Sequence, residues 1–510
     1  MSWASIPSPP PKTSISRSRW ATSSNSTKMP PVQRLPDSGR PETLHDAIAG
    51  SDAVLCGRGA ELRLSERGHA PDGLAGAGVL LRTRSQLAAA LGLIALDGVA
   101  RRIVIASPDL KPEHLPSVID RAEIDAVLGE DETLAVDGTQ FIRLDLQRTE
   151  VCHPLLREAH RKEEAVSAGE AAPVGGERKL KPEGLKKTEW VLFTSGTTGE
   201  PKMVAHTLEG LTGAIQPGAA ADTVWGTFYD IRRYGGLQIL LRALLGHASL
   251  ILSDADEDVA DFLARLGRHG VTHLTGTPSH WRRALMSPAN AALAPRYVRL
   301  SGEIADQAIL DSLKSRFPEA AIGHAYASTE AGVGFEVTDG LEGFPAEYVG
   351  RRASKTMGAV EMKVEDGRLH LRSSRTASGY VGGGPLLHND GWVDTGDMVE
   401  KRGGRLYFMG RAGGIINVGG LKINPEEVEA VINRQPGVRA SRVSGRRSPI
   451  TGAIVVADVV LTDAAGGNAT FRDSILAACR EVLPPFKVPA MLRFVPSLAL
   501  TAGGKLSRHA

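Results

Sequence analysis

Short apolar segments alternate with amphipathic segments along most of the chain beyond residue 40. Continuous apolar runs of this kind are typical of buried strands, whereas apolar residues spaced three or four positions apart are typical of helices. The clearest helix is predicted over residues 305–317, where Ile309, Leu310, Leu313 and Phe317 share one face. Repeated strand–helix alternation predicts an α/β fold in which a mainly parallel sheet is covered by helices.

The same alternation predicts individual elements in the middle of the chain. The predicted strands are residues 102–107, 190–193, 248–252, 271–274 and 297–300. Further helices are predicted over residues 259–266 and 280–285, the second opened by His280 and Trp281 as packed residues rather than ligand-binding ones. Ligands of such sheets bind in loops beyond the carboxyl ends of the strands, so a site is expected there.

Composition divides the chain into three predicted parts. Residues 1–40 are predicted to be a disordered tail, because they are rich in serine and proline. A start site placed too far upstream, or a targeting peptide whose prolines disfavour an amphipathic helix, is the alternative. Residues 41–410 form a predicted large domain. It is interrupted at residues 157–189 by a charged linker or excursion, in which 15 of 33 residues are charged. Residues 411–510 form a predicted small domain.

The small domain is predicted to be α+β. Its first helix opens at Asn424-Pro425-Glu426-Glu427, with Asn424 as the cap and proline in the first turn. A strand, a helix and a second strand follow at residues 450–461, 471–483 and 491–495.

Composition also limits the classes of partner. Of the 510 residues, 42% are hydrophobic and 23% charged, the balance of a globular protein with a sizeable core. The formal charge of +2 gives no electrostatic case for nucleic acid or membrane binding. Three widely separated cysteines, Cys56, Cys152 and Cys479, argue against a disulfide framework and favour a reducing compartment, the cytoplasm. No apolar segment is long enough to span a bilayer.

One loop is unusually suited to phosphate. It follows the predicted strand 190–193 and reads Thr194, Ser195, Gly196, Thr197, Thr198, Gly199, Glu200, Pro201 and Lys202. The glycines permit a tight turn, successive backbone N–H groups can form an anion nest, and the lysine adds a positive charge. Because Glu200 and Pro201 separate Gly199 from Lys202, the loop is not a Walker A sequence.

This loop resembles the phosphate loop of the adenylate-forming (AMP-binding) superfamily, which includes acyl-CoA synthetases, peptide-synthetase adenylation domains and luciferases. Further segments resemble that family's motifs in the same order: Ser301-Gly302-Glu303, Tyr326-Ala327-Ser328-Thr329-Glu330, the turn Thr395-Gly396-Asp397, the hinge segment from Gly410-Arg411 to Glu429, and Thr501 to Arg508 around Lys505. The resemblance extends from about residue 190 to the end. It implies a large multi-layer α/β N-terminal domain and a small, mobile α+β C-terminal domain.

The resemblance implies catalytic and magnesium-binding roles. Lys505 would place its charge between the attacking carboxylate and the α-phosphate of ATP, and Lys202 would contact phosphate oxygens. Glu330 would bind Mg²⁺, with Thr198 coordinating or orienting it. Considered without the family, Lys505 is an ordinary solvated lysine and Glu330 an ordinary carboxylate at a helix start.

The resemblance also implies a nucleotide site. Its residues would be Thr194, Ser195, Gly196, Thr197, Thr198, Gly199 and Lys202 in the phosphate loop, together with Gly302, Glu303, Tyr326, Ser328, Thr329, Asp397, Arg411 and Lys505. Tyr326 would offer a ring face to adenine, and Asp397, assisted by Arg411, would accept hydrogen bonds from the ribose hydroxyls. Without the family, Tyr326 is equally a core residue and Asp397 a turn residue.

Residues 416–425 resemble acyl-CoA ligases more than peptide synthetases. This resemblance implies a thiol channel at Gly419, Gly420 and Lys422, although the two glycines also suit a bent strand. At the hinge, Gly413 stands where the family usually carries Asp or Lys.

The expected function is ATP-dependent activation of a carboxylic acid to an acyl-adenylate, followed by transfer to coenzyme A. Transfer to a carrier-protein phosphopantetheine acting in trans, or to another nucleophile, is the first alternative. A non-catalytic adenylate-binding protein is the second. The sequence names neither the acid nor the oligomeric state. Arg232 and Arg233 could recognise a second carboxylate, but surface positions are favoured for both.

Overall fold

The computed structural model describes thirteen stretches of the chain. They are residues 42–66, 73–144, 187–194, 201–216, 218, 222–350, 360–383, 386, 391–418, 421–448, 452–462, 467–501 and 505–507. The predicted tail and nearly all of the predicted excursion at 157–189 lie outside these residues.

Strands are numbered in chain order over the described residues. They are β1 (Val54–Cys56), β2 (Glu61–Arg63), β3 (Gly78–Leu81), β4 (Arg102–Ile105), β5 (Ala126–Gly129), β6 (Gln140–Arg143), β7 (Glu189–Thr194), β8 (Lys202–Thr207), β9 (Val224–Thr227), β10 (Ser249–Leu252), β11 (His273–Gly276), β12 (Tyr297–Ser301), β13 (Ala321–Ser328), β14 (Gly332–Val337), β15 (Phe344–Pro345), β16 (Val360–Glu365), β17 (Arg368–Ser373), β18 (Gly379–Tyr380), β19 (Val393–Arg402), β20 (Arg405–Arg411), β21 (Ile416–Val418), β22 (Leu421–Ile423), β23 (Val438–Ser448), β24 (Gly452–Leu461) and β25 (Met491–Phe494).

The α-helices of the same residues are numbered likewise. They are α1 (Leu44–Ala47), α2 (Gln86–Leu96), α3 (Leu115–Ala122), α4 (Leu208–Thr212), α5 (Tyr234–Leu245), α6 (Val259–Arg268), α7 (Pro278–Met286), α8 (Gln307–Arg316), α9 (Pro425–Asn433) and α10 (Ala469–Val482).

Two large, mainly parallel sheets organise the N-terminal part. One has the order β14-β13-β12-β11-β9-β10-β1-β2, with only the outer pairs β13–β14 and β1–β2 antiparallel. The other has the order β18-β8-β7-β4-β3-β5-β6, antiparallel only where β8 joins β7 and β18. The predicted strand–helix alternation and its parallel pairing are therefore confirmed in two sheets rather than one.

A buried helix lies in the core shared by these sheets. Every residue of α2 is buried. This is the pattern expected of a helix whose residues after the first are apolar on all sides, rather than on one face. Its first residue, Gln86, is satisfied by donating to the Ser253 carbonyl oxygen at 2.7 Å and accepting from the Ile231 N–H at 2.9 Å. Helices α6, α7 and α8 bury their apolar faces in a second cluster, in which Ile309, Leu310, Leu313 and Phe317 are all buried as predicted.

An antiparallel sheet follows. The pattern of apolar residues did not predict its strands. Its order is β15-β20-β19-β17-β16, and it begins at Phe344, within the residues predicted to form the large domain. Its strands are half-buried and joined by tight turns, such as the one at Gly367 with φ +75°, so they give only a weak periodic signal.

The C-terminal part forms an α+β unit. The hairpin β21–β22 precedes α9, and the sheet β23-β24-β25 packs with α9 and α10 around a core of its own. Helix α9 begins at Pro425 as predicted, but the Asn424 side chain makes no capping hydrogen bond, so that part of the prediction is wrong. The other predicted elements occur within a few residues of their expected bounds.

Candidate active site

The two ends of the phosphate loop are held by a strand pair. In the antiparallel β7–β8 ladder Thr194 lies opposite Lys202, so residues 195–201 connect neighbouring strand ends. The Lys202 ammonium lies 5.4 Å from the centre of the Tyr380 ring, on the adjoining strand β18. The predicted nucleotide ligands Ser195, Gly196, Thr197, Thr198 and Gly199 lie outside the described residues.

Glu330 lies next to this group, just beyond the end of β13. Its backbone carbonyl oxygen accepts from the Ala377 N–H at 3.0 Å, which ties it to the segment leading into β18. Burial, followed by the negative charge of Glu330, raises the pKa of Tyr380. Lys202, Tyr380 and Glu330, which are far apart in sequence, are therefore neighbours.

The carboxylate of Glu330 fits a role as a magnesium ligand. Mg²⁺ prefers hard oxygen donors and keeps several waters and substrate phosphates around it, so one or two protein ligands suffice. The described residues contain no cluster of three His, Cys, Asp or Glu side chains able to hold a metal by themselves. A bound magnesium ion would neutralise phosphate charge there. Thr198, the second predicted ligand, is outside the described residues.

Tyr326, Asp397 and Arg411 form the second group. The Tyr326 hydroxyl donates to Oδ2 of Asp397 at 2.5 Å, and Arg411 Nε lies 3.4 Å from Oδ1 of the same carboxylate. Asp397 and Arg411 are direct cross-strand partners on β19 and β20, and Arg411 also donates to the Thr395 carbonyl oxygen at 2.8 Å. Burial raises the pKa of Asp397, while the Tyr326 hydrogen bond and the Arg411 charge oppose that shift.

The Tyr326 ring is held in a fixed plane. It stacks on Phe408 at 5.0 Å and on Phe335 at 5.6 Å between ring centres. Ser328, two residues on, accepts from the Ala331 N–H at 3.0 Å and so shapes the turn before Gly332. The backbone of Thr329 lies against the buried ring of His206, whose pKa burial lowers to about 4.

Lys505 reaches the large domain at Gly302. A Cβ placed on Gly302 would lie 3.3 Å from Lys505 Cε and 4.0 Å from its Nζ, so the absent side chain leaves room for the lysine. Gly302 also has φ +86°, a conformation that favours glycine. Loss of hydration lowers the pKa of Lys505, Glu303 opposes the shift, and the positive charges of Arg411 and Arg233 add to it.

Glu303 joins the segment around Lys505, residues 505–507 and here called the Lys505 loop, to the large domain. Its carboxylate accepts from the Leu506 N–H at 2.6 Å and from the backbone N–H and hydroxyl of Ser279 at 2.9 and 3.0 Å. Ser279 lies in the first turn of α7, whose capping box is formed by Thr277 and His280. Glu303, predicted as a nucleotide contact, thus connects a helix start to the Lys505 loop.

Two further contacts hold the C-terminal unit at the same place. Asn433 donates to Oδ2 of Asp306 at 3.2 Å, and Arg434 pairs with Glu342. Asp306 also pairs with Arg282 at 2.6 Å and caps α8.

The predicted hinge follows the end of β20. Gly413 is in the 3-10 turn Ala412–Gly414, directly after Arg411, and a Cβ at Gly413 or Gly414 would meet no atom within 4 Å. Lys422 is exposed on β22 opposite Asn417. The predicted thiol-channel glycines Gly419 and Gly420 lie outside the described residues.

Arg232 and Arg233 were expected on the surface, and for Arg232 this is wrong. Arg232 is buried, pairs with Asp230 at 2.6 Å and donates to the Thr83 carbonyl oxygen, because those partners satisfy a guanidinium inside the fold. Arg233 is four-fifths buried and pairs with Asp109. The prediction that His280 and Trp281 open a packed helix is confirmed: the Trp281 side chain is fully buried.

Sequence reasoning missed three residues of the site. Ser279, Tyr380 and Tyr229 were not singled out from the sequence. The Tyr229 hydroxyl donates to the Ser301 carbonyl oxygen at 2.9 Å. Each of these three side chains contacts a partner that is distant in sequence, so the sequence around it gave no indication of its role.

Two protein-family models match most of the chain. A model of the AMP-binding enzyme family matches residues 67–381, and a model of the AMP-binding enzyme C-terminal domain matches residues 427–505. The chain belongs to the AMP-binding enzyme family. This confirms the resemblance and the expected fold of a large N-terminal and a small C-terminal domain.

Relatives of this AMP-binding enzyme are similar over most of their length. The 2-succinylbenzoate–CoA ligase of Bacillus pumilus (strain SAFR-032) is 26% identical over 381 residues, covering 70% of this chain and 76% of that protein. The ligase of the same name from Salmonella typhimurium (strain LT2) is 26% identical over 445 residues, covering 85% and 86%. The solved o-succinylbenzoate CoA synthetase of Bacillus subtilis, in complex with an acyl-adenylate intermediate, has a TM-score of 0.66 at 18% identity, covering 92% and 97%, and shares the fold.

Membrane association through a spanning helix finds no support in the described part of the chain. None of its helices has both the length and the apolar character that crossing a bilayer requires.

Proposed function

We propose that this enzyme is an AMP-forming carboxylate–CoA ligase. It activates a carboxylic acid with ATP to an acyl-adenylate, releases pyrophosphate, and transfers the acyl group to the thiol of coenzyme A. The curated relatives are CoA ligases, and 2-succinylbenzoate, the acid in their names, is the first substrate to test.

The position of Lys505 is the observation that supports the proposed first half-reaction, adenylation. The Lys505 side chain lies over Gly302, and its charge acts on the Asp397 carboxylate that pairs with Arg411. A mobile ammonium is thereby brought to the residues proposed to hold the ribose. The reaction joins two anions, a carboxylate and a phosphate, so a cation fixed between them stabilises the transition state.

Different side chains of the site serve the ribose, the phosphates and the positioning of Lys505. Asp397 presents a carboxylate that can accept hydrogen bonds from ribose hydroxyls, and Arg411 orients it. Lys202 supplies charge at the phosphate loop, and Glu330, whose charge acts on the neighbouring Tyr380, would supply a magnesium ligand. The Leu506–Glu303 hydrogen bond keeps Lys505 at the reacting groups.

The second half-reaction requires the Lys505 loop to leave. We place the hinge at Gly413 and the domain boundary near Arg411, because consecutive glycines can absorb large φ and ψ changes and a Cβ at either would meet no atom within 4 Å. Gly419, Gly420 and Lys422 would then face the incoming thiol, as the resemblance to CoA ligases implies.

The test is a pyrophosphate-exchange screen over aliphatic, aromatic and dicarboxylic acids, repeated with coenzyme A. Carboxylate-dependent exchange with consumption of coenzyme A is expected. Exchange without thioester formation would favour transfer to a carrier protein or another nucleophile. Nucleotide binding without exchange for any acid would favour a non-catalytic protein.

We also place the enzyme in the cytoplasm. Among the described residues, Cys56 and Cys479 are buried and form no disulfide, as expected for a protein kept in a reducing compartment.

A further inference from the structure

Three charged side chains lie side by side on the sheet of the small C-terminal domain. Arg442 on β23, Asp458 on β24 and Arg493 on β25 are direct cross-strand partners. Val443 and Ala457, which neighbour the first two along their strands, belong to the apolar core of the domain. Because side chains alternate along a strand, the charged residues project from the opposite face of the sheet.

The carboxylate at the centre of this network is buried. Asp458 is 2% exposed, accepts from Nη2 of Arg442 at 2.7 Å and pairs with Nη2 of Arg493 at 2.6 Å. The Arg442 side chain is mostly buried, whereas 56% of the Arg493 side chain is exposed. A buried ion pair must offset the cost of removing both charges from water, and apolar side chains of similar volume often give equal or greater stability. Stability alone therefore does not account for the charges on this face.

The same face contacts the segment that carries Lys505. Arg442 donates from Nη1 to the Ser507 carbonyl oxygen at 3.2 Å, so one guanidinium bonds both Asp458 and the end of the Lys505 loop. A planar guanidinium holds its donors in a fixed fork, so a partner on one nitrogen sets the direction of the other. Asp458 thereby orients Arg442, and Arg442 holds the loop.

The Lys505 loop is also bonded to the chain segment that precedes it. The Thr501 N–H donates to the Lys505 carbonyl oxygen at 2.7 Å, and the Ser507 N–H donates to the Ala499 carbonyl oxygen at 2.9 Å. These two bonds pair the loop with the preceding segment as a short ribbon. A bond to Ser507 therefore restrains Lys505 as well.

The loop is thus held from both domains. The Leu506 N–H bonds Glu303 of the large domain, and the Ser507 carbonyl oxygen bonds Arg442 of the small domain. The first bond must break when the small domain rotates, whereas the second lies within that domain and can persist. A loop that is already ordered loses less conformational freedom when it docks, so the bond to Arg442 favours the docked position of Lys505.

We propose that Arg442, oriented by Asp458, is a positioning residue for adenylation. It anchors the Lys505 loop to the small domain, so that the ammonium reaches the reacting groups on a preformed loop. This inference rests on the proposed function and adds two residues that act from behind the lysine. Arg493 offers a matched control, because it pairs with the same carboxylate from the exposed side of the network.

Substitution of the two arginines tests the anchor by ATP–pyrophosphate exchange, with 2-succinylbenzoate as the first acid and then the other acids of the screen. Arg442→Met leaves Asp458 paired with Arg493, so the variant should fold. Its kcat for pyrophosphate exchange should fall about tenfold, the effect of losing a charged hydrogen bond, while KM for ATP stays unchanged. Thioester formation from a supplied acyl-adenylate, for which the loop has left, should keep its wild-type rate. Arg493→Met should match wild type in both assays.

Hydrogen–deuterium exchange of the C-terminal peptide gives a readout that needs no turnover. The amides of residues 505–507 should exchange faster in Arg442→Met than in wild type, and at the wild-type rate in Arg493→Met. A second variant combines Arg442→Met with Asp458→Leu, which replaces the buried pair by apolar side chains and keeps the test open if the single variant fails to fold. It should show the same loss of pyrophosphate exchange.

Several outcomes would overturn the anchor while leaving the ligase function intact. They are equal losses in Arg442→Met and Arg493→Met, equal losses in the two half-reactions, a raised KM for ATP with kcat preserved, or normal pyrophosphate exchange in the double variant. Absence of pyrophosphate exchange with every acid in the wild-type enzyme would instead contradict the ligase function. The deuterium exchange of residues 505–507 would then still decide whether Arg442 anchors the loop.

Discussion

The backbone N–H of Leu506 donates a 2.6 Å hydrogen bond to Oε1 of Glu303, although 203 residues separate them. This bond places the neighbouring Lys505 over Gly302 and connects the last segment of the chain to the start of α7 through Ser279. A lysine near the end of the chain thereby becomes part of the same site as Asp397 and Arg411.

Replacing Lys505 should abolish most of the adenylation activity. In Lys505→Met the charge between the two anions is lost, and we expect pyrophosphate exchange to fall about 100- to 1,000-fold or more. ATP binding, measured by calorimetry, should change little. Lys401→Met on the exposed end of β19 is the control and should retain full exchange. Undiminished exchange in Lys505→Met would show that another cation does this work.

The pH dependence of exchange should reflect the same lysine. Lys505 must be protonated, and loss of hydration lowers its pKa from the usual 10.5. Activity should therefore be lost as pH rises through a value below 10.5. In Lys505→Arg any remaining exchange should lack this alkaline limb, since arginine stays charged. A limb at the same pH in both proteins would assign it to a different group.

Glu303→Gln should weaken the docking of the Lys505 loop. Two oxygens of Glu303 accept three hydrogen bonds, and an amide leaves one oxygen to do so. We expect the rate of adenylation to fall about tenfold, with a smaller effect on thioester formation from a supplied acyl-adenylate. Arg434→Gln, which removes a contact of the same domains away from the lysine, provides the comparison. Equal losses in both half-reactions would indicate damage to the fold at Ser279.

Substitution of Gly413 should affect the two half-reactions differently. Since a Cβ there meets nothing within 4 Å, Gly413→Ala should fold and retain both steps. Gly413→Pro restricts φ and should leave pyrophosphate exchange near its normal rate while slowing thioester formation at least tenfold. If both steps fell together in the proline variant, rotation would not occur at this residue.

Asp97 should make stability depend on pH. It is buried and accepts from Trp190 Nε1 at 2.9 Å and the Leu44 N–H at 2.8 Å, and burial raises its pKa from 3.8 to about 6. The protonated form is thus favoured in the folded state, so stability from this group is present below pH 3.8 and is lost as pH rises to about 6. The loss is about 3 kcal/mol at most. The measurement is the free energy of unfolding of wild type minus that of Asp97→Asn, which should fall as pH rises from 3.8 to about 6. A difference that stays constant over this pH range would contradict the raised pKa of Asp97.

Local pattern was enough to predict much of the fold. The apolar face of residues 305–317 and the strand at 190–193 were found because side chains repeat with the period of the element that buries them. The antiparallel sheet from Phe344 was not found, since its first strand, β15, is only two residues long and its other strands are half-buried. Arg232 was misassigned because its charge is satisfied by partners that no local pattern contains.

Glycines, hydroxyls and lysines at set spacings determined the family, since those residue types are what phosphate and adenylate chemistry requires of a loop. Tertiary structure alone decided which distant groups meet. It brought Leu506 to Glu303, and Tyr326 to Asp397. Hydrogen bonds and Coulomb forces act over a few ångströms of space, and only folding sets those distances between residues hundreds of positions apart.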